Sequence, residues 1–139
     1  MAFLTQAELV TKSHAEIIEA ITEGDDTIVP IIINECIAHM KGYFSARFDV
    51  AAIFAEPSET VTRDPVVLKM LKNLVIYEIY SLHNPQMMTK IVEENHKLAI
   101  EWLKSVQSQK INPNLPVVSS TDPVTYMESG GNARRASYY

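Results

Sequence analysis

Residues 64–84, DPVVLKMLKNLVIYEIYSLHN, decide how this chain folds. Asp64 followed by Pro65 is a helix start: the carboxylate can accept first-turn N–H groups, and proline gives up only an N–H that has no intrahelical partner there. From Val66 to Leu82 the stretch is apolar on most sides, through Val67, Leu68, Met70, Leu71, Leu74, Val75, Ile76, Tyr77, Ile79 and Tyr80. A helix over 65–83 with that character has to be covered by its neighbours or by neighbouring subunits. His83-Asn84-Pro85 ends it, because proline cannot continue the hydrogen-bond ladder.

The segments around this helix read as its cover. Downstream, Met88, Ile91, Val92, Asn95, Leu98, Ala99, Trp102, Leu103 and Val106 keep a helical period and predict a last amphipathic helix over 86–109. Upstream, Val29, Ile32, Ile33, Cys36, Ile37, Met40, Tyr43, Phe44 and Phe48 mark a long helix over 28–46, with Asp26 or Thr27 as its cap and Pro30 tolerated in the first turn. Gly42 inside it costs about 1 kcal/mol relative to alanine, which predicts either a close neighbour or a bend. Thr5-Gln6-Ala7-Glu8 has the form of a capping box and opens a short first helix. Ile17, Ile18 and Ile21 among Glu16, Glu19 and Glu23 give a second, stopped at Gly24-Asp25-Asp26. Residues 49–63 predict a loop, with no more than a short extended piece or hairpin. Short connections between long helices give antiparallel packing. The expected fold is all-α, a small bundle of four to five helices over residues 1–110.

Composition agrees and bounds the function. In 139 residues, 47% hydrophobic and 21% charged side chains describe one folded domain, and 4 Gly with 8% aromatics argue against an all-β chain of many tight turns. Lys plus Arg number 12 against 17 Asp plus Glu, so the formal charge is -5, the opposite of the basic footprint of a dedicated nucleic-acid binder. Cys36 is the one cysteine, which leaves no intrachain disulfide, no CxxC chemistry and no multi-thiolate zinc site, and fits an intracellular folding compartment. Glu8, Lys12 and His14 interrupt the first residues, and no run of about 18 apolar residues occurs, so neither a secretory leader nor a membrane span is expected.

After Lys110 the character changes. Residues 111–139 hold 3 of the 7 Pro and 2 of the 4 Gly, many Ser and Thr, and no helical period. A tail of this kind is ordered by a partner or not at all. Pro113, Pro116 and Pro123 favour extended geometry, and Val117-Val118 and Val124-Thr125-Tyr126 are β-forming segments able to pair with an exposed strand on a partner. Gly130-Gly131 forms a hinge, and Arg134, Arg135, Tyr138 and Tyr139 bring the residue types enriched at interface hot spots. The candidate partner-binding residues are therefore Val117, Val118, Tyr126, Arg134, Arg135, Tyr138 and Tyr139.

Enzymatic signals are sparse. No GxSxG, Walker-type loop or Rossmann fingerprint is present. Of the four His, at 14, 39, 83 and 96, only His39 has a neighbour singled out by spacing, Glu35 four residues earlier, and a surface pair suits it better than a metal site. Cys36 falls on the apolar stripe and reads as core. Asn95 lies on the seam of the last helix, where an amide fixes register or partner choice, and Tyr77 and Tyr80 read as core or interface aromatics. No catalytic residue, metal or cofactor is expected.

LTQAELV at 4–10, IAHMKGYFSARFDV at 37–50, LKMLKNLVIYEIYSLHN at 68–84 and HKLAIEWLKSVQSQKI at 96–111 together resemble the head-to-tail connector proteins of tailed bacteriophages, also called adaptor or head-completion proteins, in the Mu-like prophage branch. The family often has Leu-Pro after the Arg-aromatic helix end, where this chain has Asp49-Val50-Ala51. The resemblance implies a non-enzymatic virion protein, made in the host bacterial cytoplasm. It would form a homo-oligomeric, dodecameric ring beneath the portal protein and above a neck or tail-completion protein, with genomic DNA passing through the channel without sequence-specific binding. An acidic body suits DNA that slides without sticking, which predicts more acid on the surface facing the channel. Two other classes share the composition: a non-viral helical interaction module that binds a partner with its tail, and a small helical enzyme with a carboxylate and His metal site.

Overall fold

The computed structural model describes residues 3–13, 15–25, 27–58, 62–83 and 89–118. The fold is all-α. Its elements in order are a 3-10 helix (Gln6–Thr11), α1 (Ala15–Thr22), α2 (Ile28–Phe44), α3 (Val50–Ile53), α4 (Pro65–His83) and α5 (Lys90–Gln107). Among the described residues there is no strand, only an isolated antiparallel bridge between Phe48 and Val117. None of the helices there is long and apolar enough to cross a membrane.

α4 is the centre, as its composition requires. It packs against α5, α2 and α1, and α2 also meets α5. Val67, Leu71, Leu74, Val75, Ile76 and Ile79 are buried along its length. They face Ile32, Ile33, Cys36, Met40 and Phe44 from α2 and Ala99, Leu103 and Val106 from α5 in one contiguous core. Its start is built as read: one Asp64 oxygen accepts the N–H groups of Val66 (2.9 Å) and Val67 (3.0 Å).

The other helix ends differ in detail from their sequence signals. Glu8 reaches back to accept the Thr5 N–H (3.1 Å) and also takes the Thr5 hydroxyl (3.2 Å), while the Glu8 N–H goes to the Thr5 carbonyl (3.1 Å) in a 3-10 turn. The Arg63 guanidinium then ties the Glu8 carboxylate (2.6 Å) and the Phe3 carbonyl (2.9 Å) to the approach to α4. α1 ends at Thr22, two residues before its glycine: Glu23 already has a φ of 55°, followed by Gly24 at 76°, and the Gly24 N–H returns to the Glu19 carbonyl (3.1 Å). Thr27 does not cap α2. Its hydroxyl (2.6 Å) and N–H (2.9 Å) both donate to Asp25, and Asp26 lies outside the described residues.

One alternative and one expectation need correction. A Cβ placed on Gly42 would meet nothing within 4 Å, so no neighbour approaches it closely and the close-packing alternative is excluded. Residues 50–53, expected in a loop, form the one-turn helix α3, because Asp49 accepts the Ala52 N–H (3.2 Å) and Ile53 is buried. The last helix begins at Lys90, capped by the Thr89 hydroxyl on the Val92 N–H (3.2 Å), and residues 84–88 lie outside the described set.

Candidate interaction surfaces

Residues 111–118 are anchored on the helical body. α5 closes on Gln109 in the left-handed region (φ 67°), with the Lys110 N–H on the Ser105 carbonyl (2.8 Å) and the Gln109 N–H on Val106 (3.1 Å). That turn sends residues 111–118 back across the elbow between α2 and α3. The Asp49 N–H donates to the Pro116 carbonyl (2.9 Å), and the Val118 N–H donates to the Arg47 carbonyl (3.1 Å). Arg47 adds a hydrogen bond to the Asn112 amide oxygen (3.3 Å) while stacking over Phe48 with 4.7 Å to the ring centre. Leu115 is buried in the main core, beside a cleft of about 240 Å³ that Ala52, Arg63, Asp64 and Pro116 help to line.

The chain therefore does not part from the body at Lys110. Val117 lies opposite Phe48 of its own chain, but the hydrogen bonds of that bridge are made by its neighbours Pro116 and Val118, and Val117 is 66% and Val118 50% exposed. Both thus remain able to touch a partner through their side chains. Tyr126, Arg134, Arg135, Tyr138 and Tyr139 lie outside the described residues.

The residues weighed for chemistry separate. Cys36 is buried, and burial, with the Glu78 and Glu35 carboxylates adding to it, pushes its thiol up to about 12. His39 is exposed and leans on Tyr43 at 5.5 Å rather than joining Glu35 in a site. Tyr80 shares a buried hydrogen bond with Ser13 (2.8 Å). Among the described residues no group of three His, Cys, Asp or Glu side chains could hold a metal ion. Asn95 faces Asn73 and Lys12 around a crevice of about 30 Å³ between α4 and α5, and the Asn73 side-chain oxygen is buried with no partner among the described residues.

His96 escaped the sequence reading, although Glu93 stands three residues before it. Its ring stacks on Tyr77, 3.8 Å between centres and 17° from parallel, joining α5 to α4. Desolvation lowers its pKa below 6.5 and His39 lowers it further, against an opposing pull from Glu78. Since the unfolded chain takes a proton at a higher pH than the folded one, stability should fall as pH drops through 6.5 toward the folded pKa. His96→Phe, which keeps a ring on Tyr77 but cannot titrate, should flatten that decline in urea midpoints measured between pH 7 and 5. An unchanged slope would exclude His96 as its source.

Several large apolar side chains face solvent: Ile91 (69%) and Leu98 (57%), seven residues apart on one stripe of α5, and Val10, Ile31, Val66 and Leu82 elsewhere. No family model, no curated relative and no solved structure matches this chain.

Proposed function

We propose that this protein is a head-to-tail connector of a tailed bacteriophage, a structural ring component that joins a portal to the neck or tail. The observation that carries the reading is the anchored exit of the tail. Residues 111–118 are fixed on the elbow by main-chain hydrogen bonds and by Leu115 in the core, so the 21 residues from 119 to 139 follow a fixed point on a helical body. A fixed origin raises the effective concentration of a tail at a neighbour's surface, which a tail hung on a flexible linker would lose. The exposed Ile91 and Leu98 on α5 and the four sequence segments that resemble the family support the same reading. In it, copies assemble as a dodecameric ring in the virion, DNA passes through the channel without base-specific contacts, and the tail orders on the portal or on an adjacent subunit.

Deleting residues 119–139 should leave the helical body folded, since every core residue named above precedes that cut. The truncated protein should fail to join portal-bearing capsids, read by co-sedimentation with them. Unchanged co-sedimentation would remove the docking role of the tail, and full-length protein that ignores such capsids would remove the connector reading. The interaction-module alternative binds one partner without forming a ring, so the mass of the complex by light scattering separates the two.

A further inference from the structure

Part of this chain carries acid without base. Residues 13–40 contain Glu16, Glu19, Glu23, Asp25, Asp26 and Glu35 and not one Lys or Arg. Four of these acids, Glu16, Glu19, Glu23 and Asp25, are exposed on or just after α1, where Ile17 also reaches solvent at 38% exposure. Glu16, Glu19 and Glu23 fall three, four and seven residues apart, and so share one stripe of α1 and its first following residue.

The opposite surface chemistry is built where the 3-10 helix meets α4. Lys12, Lys69 and Lys72 rim an open cleft of about 380 Å³ whose floor includes Pro65 and Leu68. Lys72 is steadied by donating to the Thr11 hydroxyl (3.0 Å). The three ammonium groups crowd one another: burial lowers the Lys12 pKa, and Lys69 and Lys72 lower it further. Among the described residues no carboxylate lines the cleft, and the ion pairing found there, Arg63 with Glu8, leaves these lysines out. Three like charges held together without a counter-charge raise the energy of the free protein, and an acidic surface placed on the cleft relieves it.

We propose that the Lys12, Lys69 and Lys72 cleft is the seat for the acidic stripe of α1 of a second copy of this chain. Two different, mutually complementary patches on one chain make a head-to-tail contact, and such contacts repeat into closed rings when the rotation permits. The inference deepens the ring reading of the preceding section and rests on it for the closure of the assembly, while the pairwise contact stands on the charges alone. Lysine suits the seat because a mobile point charge tolerates small differences in the approach of a carboxylate, whereas arginine would enforce a fixed fork.

Charge reversal on each side tests it with the full-length chain. Wild-type protein should self-associate at low ionic strength and dissociate at about 1 M salt, where screening reaches only about 3 Å. Lys69→Glu with Lys72→Glu, or Glu16→Lys with Glu19→Lys, should each weaken self-association on the order of a hundredfold, because each sets like charges face to face. Mixing the two variants should restore assembly, since every seat then finds an opposite charge, and the restoration also proves both folded. The milder Lys69→Gln with Lys72→Gln should fall between wild type and reversal. Sedimentation velocity reads all five samples. A wild type that stays monomeric, a reversal that assembles unchanged, or a mixture that remains monomeric would overturn the proposal. So would a lysine variant that keeps its assembly but loses binding to duplex DNA, which would assign the cleft to phosphate. Rings that form and join portal-bearing capsids despite both reversals would remove this interface and leave the connector reading intact. Charge-matched self-association in a protein that ignores such capsids would do the reverse.

Discussion

Phe44→Ala should destabilise the protein by about 3–5 kcal/mol, the usual range for truncating a fully buried aromatic. Phe44 is 0% exposed at the end of α2. Its ring meets Phe48 at 6.0 Å and Trp102 at 5.9 Å, both nearly edge-on, and Phe54 at 6.2 Å. These partners belong to the elbow, to α5 and to the turn after α3, so one truncation loosens the junction on which the C-terminal segment rests. No single side chain can collapse into the space from three directions, and the cavity term is therefore added to the lost transfer free energy. Against a total of about 5–15 kcal/mol for a domain of ordinary stability, the loss is a large share. Urea unfolding followed by far-ultraviolet circular dichroism reads it as a drop in midpoint. Val66→Ala, at a side chain 46% exposed, should change the midpoint far less. Equal effects at the two positions would mean that the aromatic junction contributes nothing beyond ordinary burial.

What could be read from the sequence was local or periodic, and what escaped it was neither. α4 was legible because Asp64-Pro65 fixes its start through bonds within three residues and because its apolar surround leaves it only a central place. α2 and α5 followed from their stripes, and Cys36 was placed in the core by the same periodicity. α3 was missed because four residues are about one turn, too short to show a period. The alternatives for Gly42 assumed that packing or curvature compensates a helical glycine, and the open space around it shows no such packing. The stacking of His96 on Tyr77 depends on how α4 and α5 are set against each other, which spacing along either helix does not reveal. The lysine cleft joins Lys12 to Lys69 and Lys72 across a long sequence separation, so no motif could announce it. Leu115 is a single apolar residue between Pro113 and Pro116, and its burial is a non-local event that a polar, aperiodic segment conceals.

Leu115→Ala should cost about 2 kcal/mol, at the low end for a buried leucine because the segment that carries it lies at the edge of the core. The more specific consequence is local. The Asp49 and Val118 amides are held across the contact between the elbow and residues 111–118, and neither bond belongs to a helix that could preserve it alone. Removing the Leu115 anchor leaves those two hydrogen bonds to compete with water, where each is worth only about 1 kcal/mol. Hydrogen exchange should therefore show the Asp49 and Val118 amides losing most of their protection. An α4 amide such as Val75, inside the central helix, should lose no more than the global change in stability. If Asp49 and Val118 kept their protection, the main-chain bonds rather than Leu115 would be holding the segment. In the connector reading the same substitution has a functional result, because it frees the origin of residues 119–139 while leaving every one of them in place. Joining to portal-bearing capsids should then weaken even though the tail is intact, which tells a fixed exit point apart from a tail that needs only its own sequence.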